Sequence, residues 1–249
     1  MSAPVHVLLG GSGGIGSALA RRLREAGDTV ILGARDAQKL SALAGEIGAE
    51  AFTLDATEYA QVEALVKGAA ERHGRVDGVV NLVGSIDLKP AHAMSVEAFQ
   101  QVLQLNLHTA FYAVKAAASV MTKNRDPRGG AVVLMSSVAA RYGLANHEAV
   151  ASAKAGIEGL VRAAAATYAG RGIRVNAVAP GLVRTPLAGR LVASEQAVEA
   201  SAAMHPIGRI GEPQDLVGAL ALLLDREQAG WITGETISVD GGFAHARPR

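Results

Sequence analysis

Five glycines fall within the seven residues Gly10-Gly11-Ser12-Gly13-Gly14-Ile15-Gly16, after the apolar run Val5–Leu9 and before a helical pattern that begins at Ser17. A strand that breaks into glycines and then into a helix is suited to cradle a dinucleotide pyrophosphate. Glycine lets the backbone turn tightly and approach the anion, and the helix N-terminus offers unpaired N–H groups. Gly11, Gly13 and Gly16 fit G-x-G-x-x-G, while Gly10, Gly14 and Gly16 fit G-x-x-x-G-x-G, so the sequence leaves open which of them touch phosphate. The candidate cradle is Gly10, Ser12, Gly13, Gly14, Ile15 and Gly16; a plain flexible turn is the competing reading. The next run, Thr29–Leu32, should carry its end to an adenosine ribose, where an acid would bind a 2′-hydroxyl. The chain instead gives Gly33-Ala34-Arg35, with Lys39 one turn later. A cation in place of the acid favours a 2′-phosphate, and so NADP(H) over NAD(H). Asp36 is either a helix cap or a ribose ligand. Asp55 is placed either to accept from an adenine amine or to cap the helix that follows.

The elements needed to hold these groups can be read from the alternation of apolar runs and helical patterns. Strands are expected at Val5–Leu9, Thr29–Leu32, Glu50–Asp55, Asp77–Gly84, Ala131–Met135, Gly172–Val178 and Thr236–Val239. Between them fall helical stretches at 60–72, 95–121, 149–168 and 212–224, with a lid expected over Leu187–Met204 that closes on ligand and excludes water. The end of the fourth strand, with Asn81 and Gly84, should line the cofactor cleft. Asn106 stands in the middle of the longest helix, where a polar amide needs a partner. Strands alternating with helices mean a parallel sheet covered on both faces, here in one domain over residues 1–249.

Composition narrows the class of function. Lys and Arg total 24 against 23 Asp and Glu, a net charge of +1, and no basic cluster or aromatic platform argues for nucleic acid as partner. There is no cysteine, which excludes disulfides, thiolate metal sites and cysteine nucleophiles. No run reaches the length of a membrane span, and Met1-Ser2-Ala3-Pro4 leads directly into the first strand without a signal-peptide pattern. The expectation is a cytoplasmic protein that meets a small molecule and no membrane, nucleic acid or metal. The tail Ala244–Arg249 has no obvious pattern.

Taken together, the motifs resemble those of the short-chain dehydrogenase/reductase family, over nearly the whole chain. The glycine loop is similar to T-G-x-x-x-G-x-G, with Leu9 where threonine is usual, and Asn81-Leu82-Val83-Gly84 is similar to N-N-A-G. Asn106, Ser137 and Lys154 fall where that family places its helix asparagine, its serine and its lysine. Pro180-Gly181-Leu182-Val183-Arg184-Thr185 resembles P-G-x-x-x-T, whose threonine contacts the nicotinamide amide; Pro180, Gly181, Val183 and Thr185 are the matching cofactor residues. Trp231–Gly234 and Val239–Gly242 resemble the C-terminal signature. The resemblance implies a doubly wound Rossmann fold, a nicotinamide cofactor and a homotetramer. It also implies that Ser137 hydrogen-bonds a substrate carbonyl, that Lys154 holds the cofactor ribose, and that Asn106 carries a water-linked proton relay through a local backbone distortion, a purely structural asparagine being the equal alternative.

One departure bears on the chemistry. The family's catalytic tyrosine lies four residues before its lysine, and here Val150-Ala151-Ser152-Ala153-Lys154 has valine at that place. Valine has no proton to give. His147 stands seven residues before Lys154, and at about 100° per residue it returns to within roughly 20° of the same helix face. Histidine transfers protons near neutrality. The family's enoyl reductases carry their tyrosine at this wider spacing, so His147 is the candidate replacement, against the plainer reading that it caps the helix or lines the pocket. Tyr142 and Glu148 are weaker candidates.

The resulting expectation is an NADP(H)-dependent oxidoreductase for a carbonyl/alcohol pair with an altered proton donor. The alternatives are a reductase of conjugated double bonds and a catalytically silent NADP-binding subunit. NADPH should bind more tightly than NADH in a fluorescence titration, and Arg35→Asp should move the preference toward NADH. Equal or reversed wild-type affinities would refute the reading of Arg35.

Overall fold

Alternate residues of a strand point to opposite faces of its sheet, and β1 (Val5–Leu9) is buried on both faces, apolar except for His6. Val5, Val7 and Leu9 join one core, and Leu8 joins the other. The computed structural model describes residues 3–246; Met1-Ser2 and the tail positions 247–249 lie outside the described residues. The remaining strands are β2 (Thr29–Ala34), β3 (Glu50–Thr53), β4 (Gly78–Asn81), β5 (Gly130–Met135), β6 (Ile173–Pro180) and β7 (Thr236–Val239). They form a seven-stranded sheet in the order β3-β2-β1-β4-β5-β6-β7, and every pairing is parallel. Because β1 pairs with both β2 and β4, the chain reverses direction across the sheet there. That switch leaves a crevice beyond the carboxyl ends of the strands.

Helices cover both faces, as the doubly wound α/β expectation requires. On one side α3 (Tyr59–His73), α5 (Thr109–Met121) and α6 (Glu148–Tyr168) pack through Val62, Val66, Met121, Ile157 and Val161. On the other, α1 (Gly14–Glu25), α2 (Ala37–Ile47) and α8 (Pro213–Leu224) pack through Leu19, Leu40, Leu216 and Leu220. Leu8, with no exposed surface at all, lies between these layers; truncating such a side chain to alanine costs about 2–5 kcal/mol. The small side chains of Ala110, Ala113, Ala116 and Ala117, all fully buried, let α5 lie close against the sheet.

The structure departs from the sequence expectation in two places that bear on function. The helix expected over Ser95–Met121 consists of α4 (Val96–Leu103) and α5, joined by a π-helical turn at Gln104–His108. There the Thr109 N–H donates to Gln104 O, five residues back rather than four. The expected lid is a 3₁₀ stretch, Pro186–Val192, followed by α7 (Glu195–Ala203), which buries none of its residues. No helix among the described residues is long and apolar enough to cross a membrane, and no group of three or more potential metal ligands occurs among them.

Candidate active site

At the end of β1 the backbone turns through Gly10 at φ +79°, a conformation that favours glycine. The N–H groups of Gly10 and Gly11 donate to Gly33 O at 2.8 and 3.2 Å, which ties the loop to the end of β2. A Cβ on Gly16 would stand 2.5 Å from Gly10 O, and one on Gly14 would stand 3.0 Å from Thr185 Cγ2. Gly10 therefore makes the turn, Gly16 permits the helix to approach it, and Gly14 accepts the segment after β6. These are the glycines of the G-x-x-x-G-x-G spacing. Helix α1 starts at Gly14 with no side-chain cap on Gly13 and no acid in its first turn. The N–H groups of Gly14, Ile15 and Gly16 precede the first intrahelical bond and favour an anion. Ser12 is half-buried beside them.

Arg35 follows β2, is exposed, and has no carboxylate partner within salt-bridge distance among the described residues. Asp36 is the cap of α2: its carboxylate accepts from the Lys39 N–H at 3.0 Å, and Lys39 Nζ lies 3.4 Å from its other oxygen. The Lys39 backbone bond holds its carboxyl below the usual range. Asp55, just past β3, accepts from both the N–H and the hydroxyl of Thr57, and these bonds with the charge of Arg35 lower its pKa. It shapes the turn before α3, whose cap position is Glu58 rather than Asp55.

The central group is Lys154. It lies on α6, is only 7% exposed, and donates from Nζ to Met135 O at 2.9 Å. No carboxylate pairs with it among the described residues, and burial alone lowers its pKa to about 8. A Cβ on Gly84 would stand 3.5 Å from Lys154 Nζ and 2.9 Å from Asn106 Oδ1, so a glycine at the end of β4 is what lets these groups converge. Asn106, fully buried in the π-turn, donates from Nδ2 to Val102 O at 2.9 Å and to Ser85 Oγ at 3.0 Å. Its Oδ1 accepts from the Ser85 N–H. Asn81 has its side chain buried within the fold, donating to Thr109 Oγ1 and accepting from the Val83 N–H. The Asn81 side chain therefore anchors the π-turn to β4, and what it can present to the cleft is the course of the backbone.

Ser137 follows β5 in extended backbone, half-buried, and its Oγ accepts from the Ala139 N–H at 3.2 Å. Its hydroxyl proton has no acceptor among the described residues. Behind it is a cluster that the sequence reading did not find. Buried Ser136 donates to Glu158 Oε1 at 2.9 Å, and Arg141 Nε donates to both oxygens of the 7% exposed Glu158. An acid four residues after Lys154 on a helix of small residues was the available signal.

His147 corrects one premise of the sequence argument. It is not within the body of α6 but at its N-terminal cap, half-buried, with the helix beginning at Glu148. Its Nδ1 lies 2.8 Å from Ala145 O. Only a protonated nitrogen can bond a carbonyl, so Nδ1 carries that hydrogen and Nε2 is the nitrogen left for exchange. Val150 is 5% exposed and packs with Val102, Ala149 and Ala153. Glu148 accepts from the Ala91 N–H, and Tyr142 sets its ring edge against Phe243.

The segment after β6 completes the cleft. Pro180 ends the strand, and the Gly181 N–H continues the ladder to Val239 O. Val183 is buried and bridges to Gly211. Its N–H has no acceptor among the described residues. Thr185 caps the 3₁₀ stretch by accepting from the Ala188 N–H at 3.3 Å. A dinucleotide fits this donor set: the uncapped start of α1 for phosphate, Lys154 with further ammonium hydrogens for a ribose, and the orphaned Val183 N–H for an amide.

Comparison with known proteins bears on the same features. The family model described as enoyl-(acyl carrier protein) reductase matches residues 10–244. A cis-4-hydroxycyclohexanecarboxylate dehydrogenase of Sinomonas cyclohexanicum is 37% identical over 244 residues, spanning 96% of each chain. A protein of Xanthobacter autotrophicus named inactive 2-(S)-hydroxypropyl-CoM dehydrogenase 2 is 37% identical over 231 residues, 90% of this chain and 99% of its own. The solved structure of a short-chain type dehydrogenase/reductase from Mycobacterium ulcerans superposes with a TM-score of 0.92 at 29% identity, covering 100% of this chain and 93% of that one.

The burial of Lys154 has a measurable consequence. The folded chain begins to release its proton at about 8, whereas the unfolded chain keeps it to 10.5. Lys154→Met should therefore stabilise the protein at pH 7, by up to about 3 kcal/mol. The unfolded state binds more protons between those values, so wild-type stability gains on that of the variant as pH rises from about 8 to 10.5. Denaturant titrations across this range, with NADPH affinity falling in the variant, are the expected result.

Proposed function

The chain belongs to the short-chain dehydrogenase/reductase family, and on that premise we propose that it is an NADP(H)-dependent oxidoreductase for a small carbonyl/alcohol pair, with His147 in place of the missing tyrosine. The observation that carries the reading is the buried Lys154 ammonium without a carboxylate partner, beside Gly84 and Asn106 at the carboxyl ends of the strands. Burying such a charge is costly, and a cofactor ribose is the partner that the family relation supplies. Arg35, exposed after β2 without a paired carboxylate, supports a 2′-phosphate. The reading takes residues 1–249 as one cytoplasmic unit.

When bound, the nicotinamide group supplies the hydride that converts a carbonyl carbon to an alcohol carbon. The carbonyl oxygen gains charge as this happens and requires a hydrogen-bond donor and a proton. Ser137 donates its free hydroxyl hydrogen to that oxygen. Lys154 holds the ribose, and its positive charge stabilises the growing negative charge. Asn106 keeps the π-turn and Gly84 in register with Lys154, and π-turns recur at functional sites. His147 delivers the proton from Nε2 while Nδ1 stays bonded to Ala145 O. In the oxidative direction the same nitrogen accepts it.

Two observations favour rival readings. The description of the matching family model, together with the seven-residue spacing from His147 to Lys154, favours reduction of a conjugated double bond. Val150 and the relative named inactive favour a silent NADP-binding subunit. Val150→Tyr separates a carbonyl reductase from a double-bond reductase, and His147→Ala tests the proton donor on any substrate that turns over. The alanine variant should lower kcat by about 10²–10⁴-fold with NADPH affinity unchanged, and Val150→Tyr should raise the rate on ketones. Full activity in His147→Ala would end the histidine proposal and leave water relayed through Lys154 and Asn106 as the proton source.

A homotetramer is part of the same proposal. Phe111 is half exposed, and with Leu107, His108, Tyr112 and Leu160 it lines an apolar groove between α5 and α6, more than the sheet needs covered. Light scattering at micromolar concentration should give four times the chain mass; a monomer would refute it.

A further inference from the structure

His205 is a buried titratable side chain that the chemistry above does not use. It follows α7, is 3% exposed, and has both ring nitrogens engaged. Nδ1 lies 2.7 Å from Ser201 O, on α7, and Nε2 accepts from the Leu182 N–H at 3.2 Å. With one nitrogen donating and the other accepting, the ring is the neutral tautomer with its proton on Nδ1. Gly181 is shaped to receive it. A Cβ there would stand 2.6 Å from His205 Nε2 and 3.2 Å from Asp240 Cα, so the glycine answers to this contact rather than to a left-handed turn.

The bond reaches the segment after β6, which the Arg184 N–H also ties to Gly211 O at 2.8 Å. Leu182 precedes Val183, whose N–H is unmatched, and Thr185, which rests on Gly14 of the phosphate loop. On the far side Leu182 O accepts from the Gly211 N–H at 2.8 Å. The same ring packs 5.2 Å from Phe243, which in turn lies 5.2 Å from Tyr142, five residues after Ser137. The Ile207 N–H donates to Gly241 O, so the end of the lid is also tied to the turn after β7.

We infer that His205 is a positioning residue that sets the Leu182–Thr185 backbone for the nicotinamide end of the cofactor and couples that backbone to the lid helix α7. The inference rests on the cofactor reading above. Without the acceptor on His205, the Leu182 N–H is left unpaired in a half-buried place, and the peptide planes around Val183 rotate to find another partner. The histidine therefore acts through Leu182, not on substrate.

Two amides separate the two bonds of the ring. Glutamine reaches as far as Nε2 and keeps an acceptor for Leu182. Asparagine reaches only as far as Nδ1 and keeps the tie to Ser201. His205→Asn should weaken NADPH binding by about tenfold in a fluorescence titration, the value of one well-placed bond. Without nucleotide, it should also speed hydrogen exchange in peptides covering 181–185 and 195–204, with β5 unchanged. His205→Gln should keep wild-type affinity and wild-type exchange over 181–185. Equal behaviour of the two variants, whether both keep affinity and protection or both lose them, overturns the inference. If the wild-type chain binds neither NADPH nor NADH, the cofactor reading falls, and the exchange data alone decide on the latch. Faster exchange in the asparagine variant only sustains it, and unchanged exchange ends it.

Discussion

A lysine ammonium taken out of water with a single carbonyl for company is the constraint on which this structure turns. Lys154 donates to Met135 O and meets no carboxylate among the described residues, and burial lowers its pKa to about 8. The nearest acid along the helix, Glu158, is engaged by Arg141 and Ser136 instead. A chain selected for stability alone would place a methionine or leucine there. The residue makes sense as a group kept charged for a partner that arrives from solution.

The rest of the fold supports that placement. The parallel sheet brings the ends of β1, β4, β5 and β6 to one edge, so the glycine loop, Gly84, Ser137 and the Pro180–Thr185 segment converge though distant in sequence. Fine positioning comes from close approaches that forbid a Cβ: Gly16 on Gly10, Gly84 on Asn106, and Gly181 on His205. These contacts lock the glycine loop, the π-turn and the segment after β6 to the sheet. Each joins a rigid strand end to an element that must take its geometry from it.

Much of this was legible in the residues. Apolar runs with β-branched side chains located the strands to within a few positions, because strands buried on both faces are nearly continuous apolar runs. The glycine spacing located the turn from β1 into α1. A five-residue hydrogen bond leaves no compositional mark, so the π-turn could be expected only as a backbone distortion at Asn106, and that from the family resemblance. Whether His147 belongs to the helix body or caps it was open in the sequence; it stands at the cap, its carbonyl accepting the Ala151 N–H at 2.7 Å. The role of Asp36 was undecidable until the Lys39 N–H was seen to point at it. His205 and Glu158 escaped because their partners lie 23 and 22 residues away in sequence, joined only by tertiary folding.

The central claim, that this cleft moves a hydride to a carbonyl carbon despite the valine at position 150, can be tested by tracing the hydride itself. NADPH deuterated at the transferable position of the nicotinamide ring would be incubated with the protein and a panel of small ketones and matched enones. Mass spectrometry and NMR would then locate the label in the products. The account predicts deuterium on the carbon that bears the new hydroxyl. Label on the β-carbon of an enone, or no label in any product while NADPH binds, would contradict it.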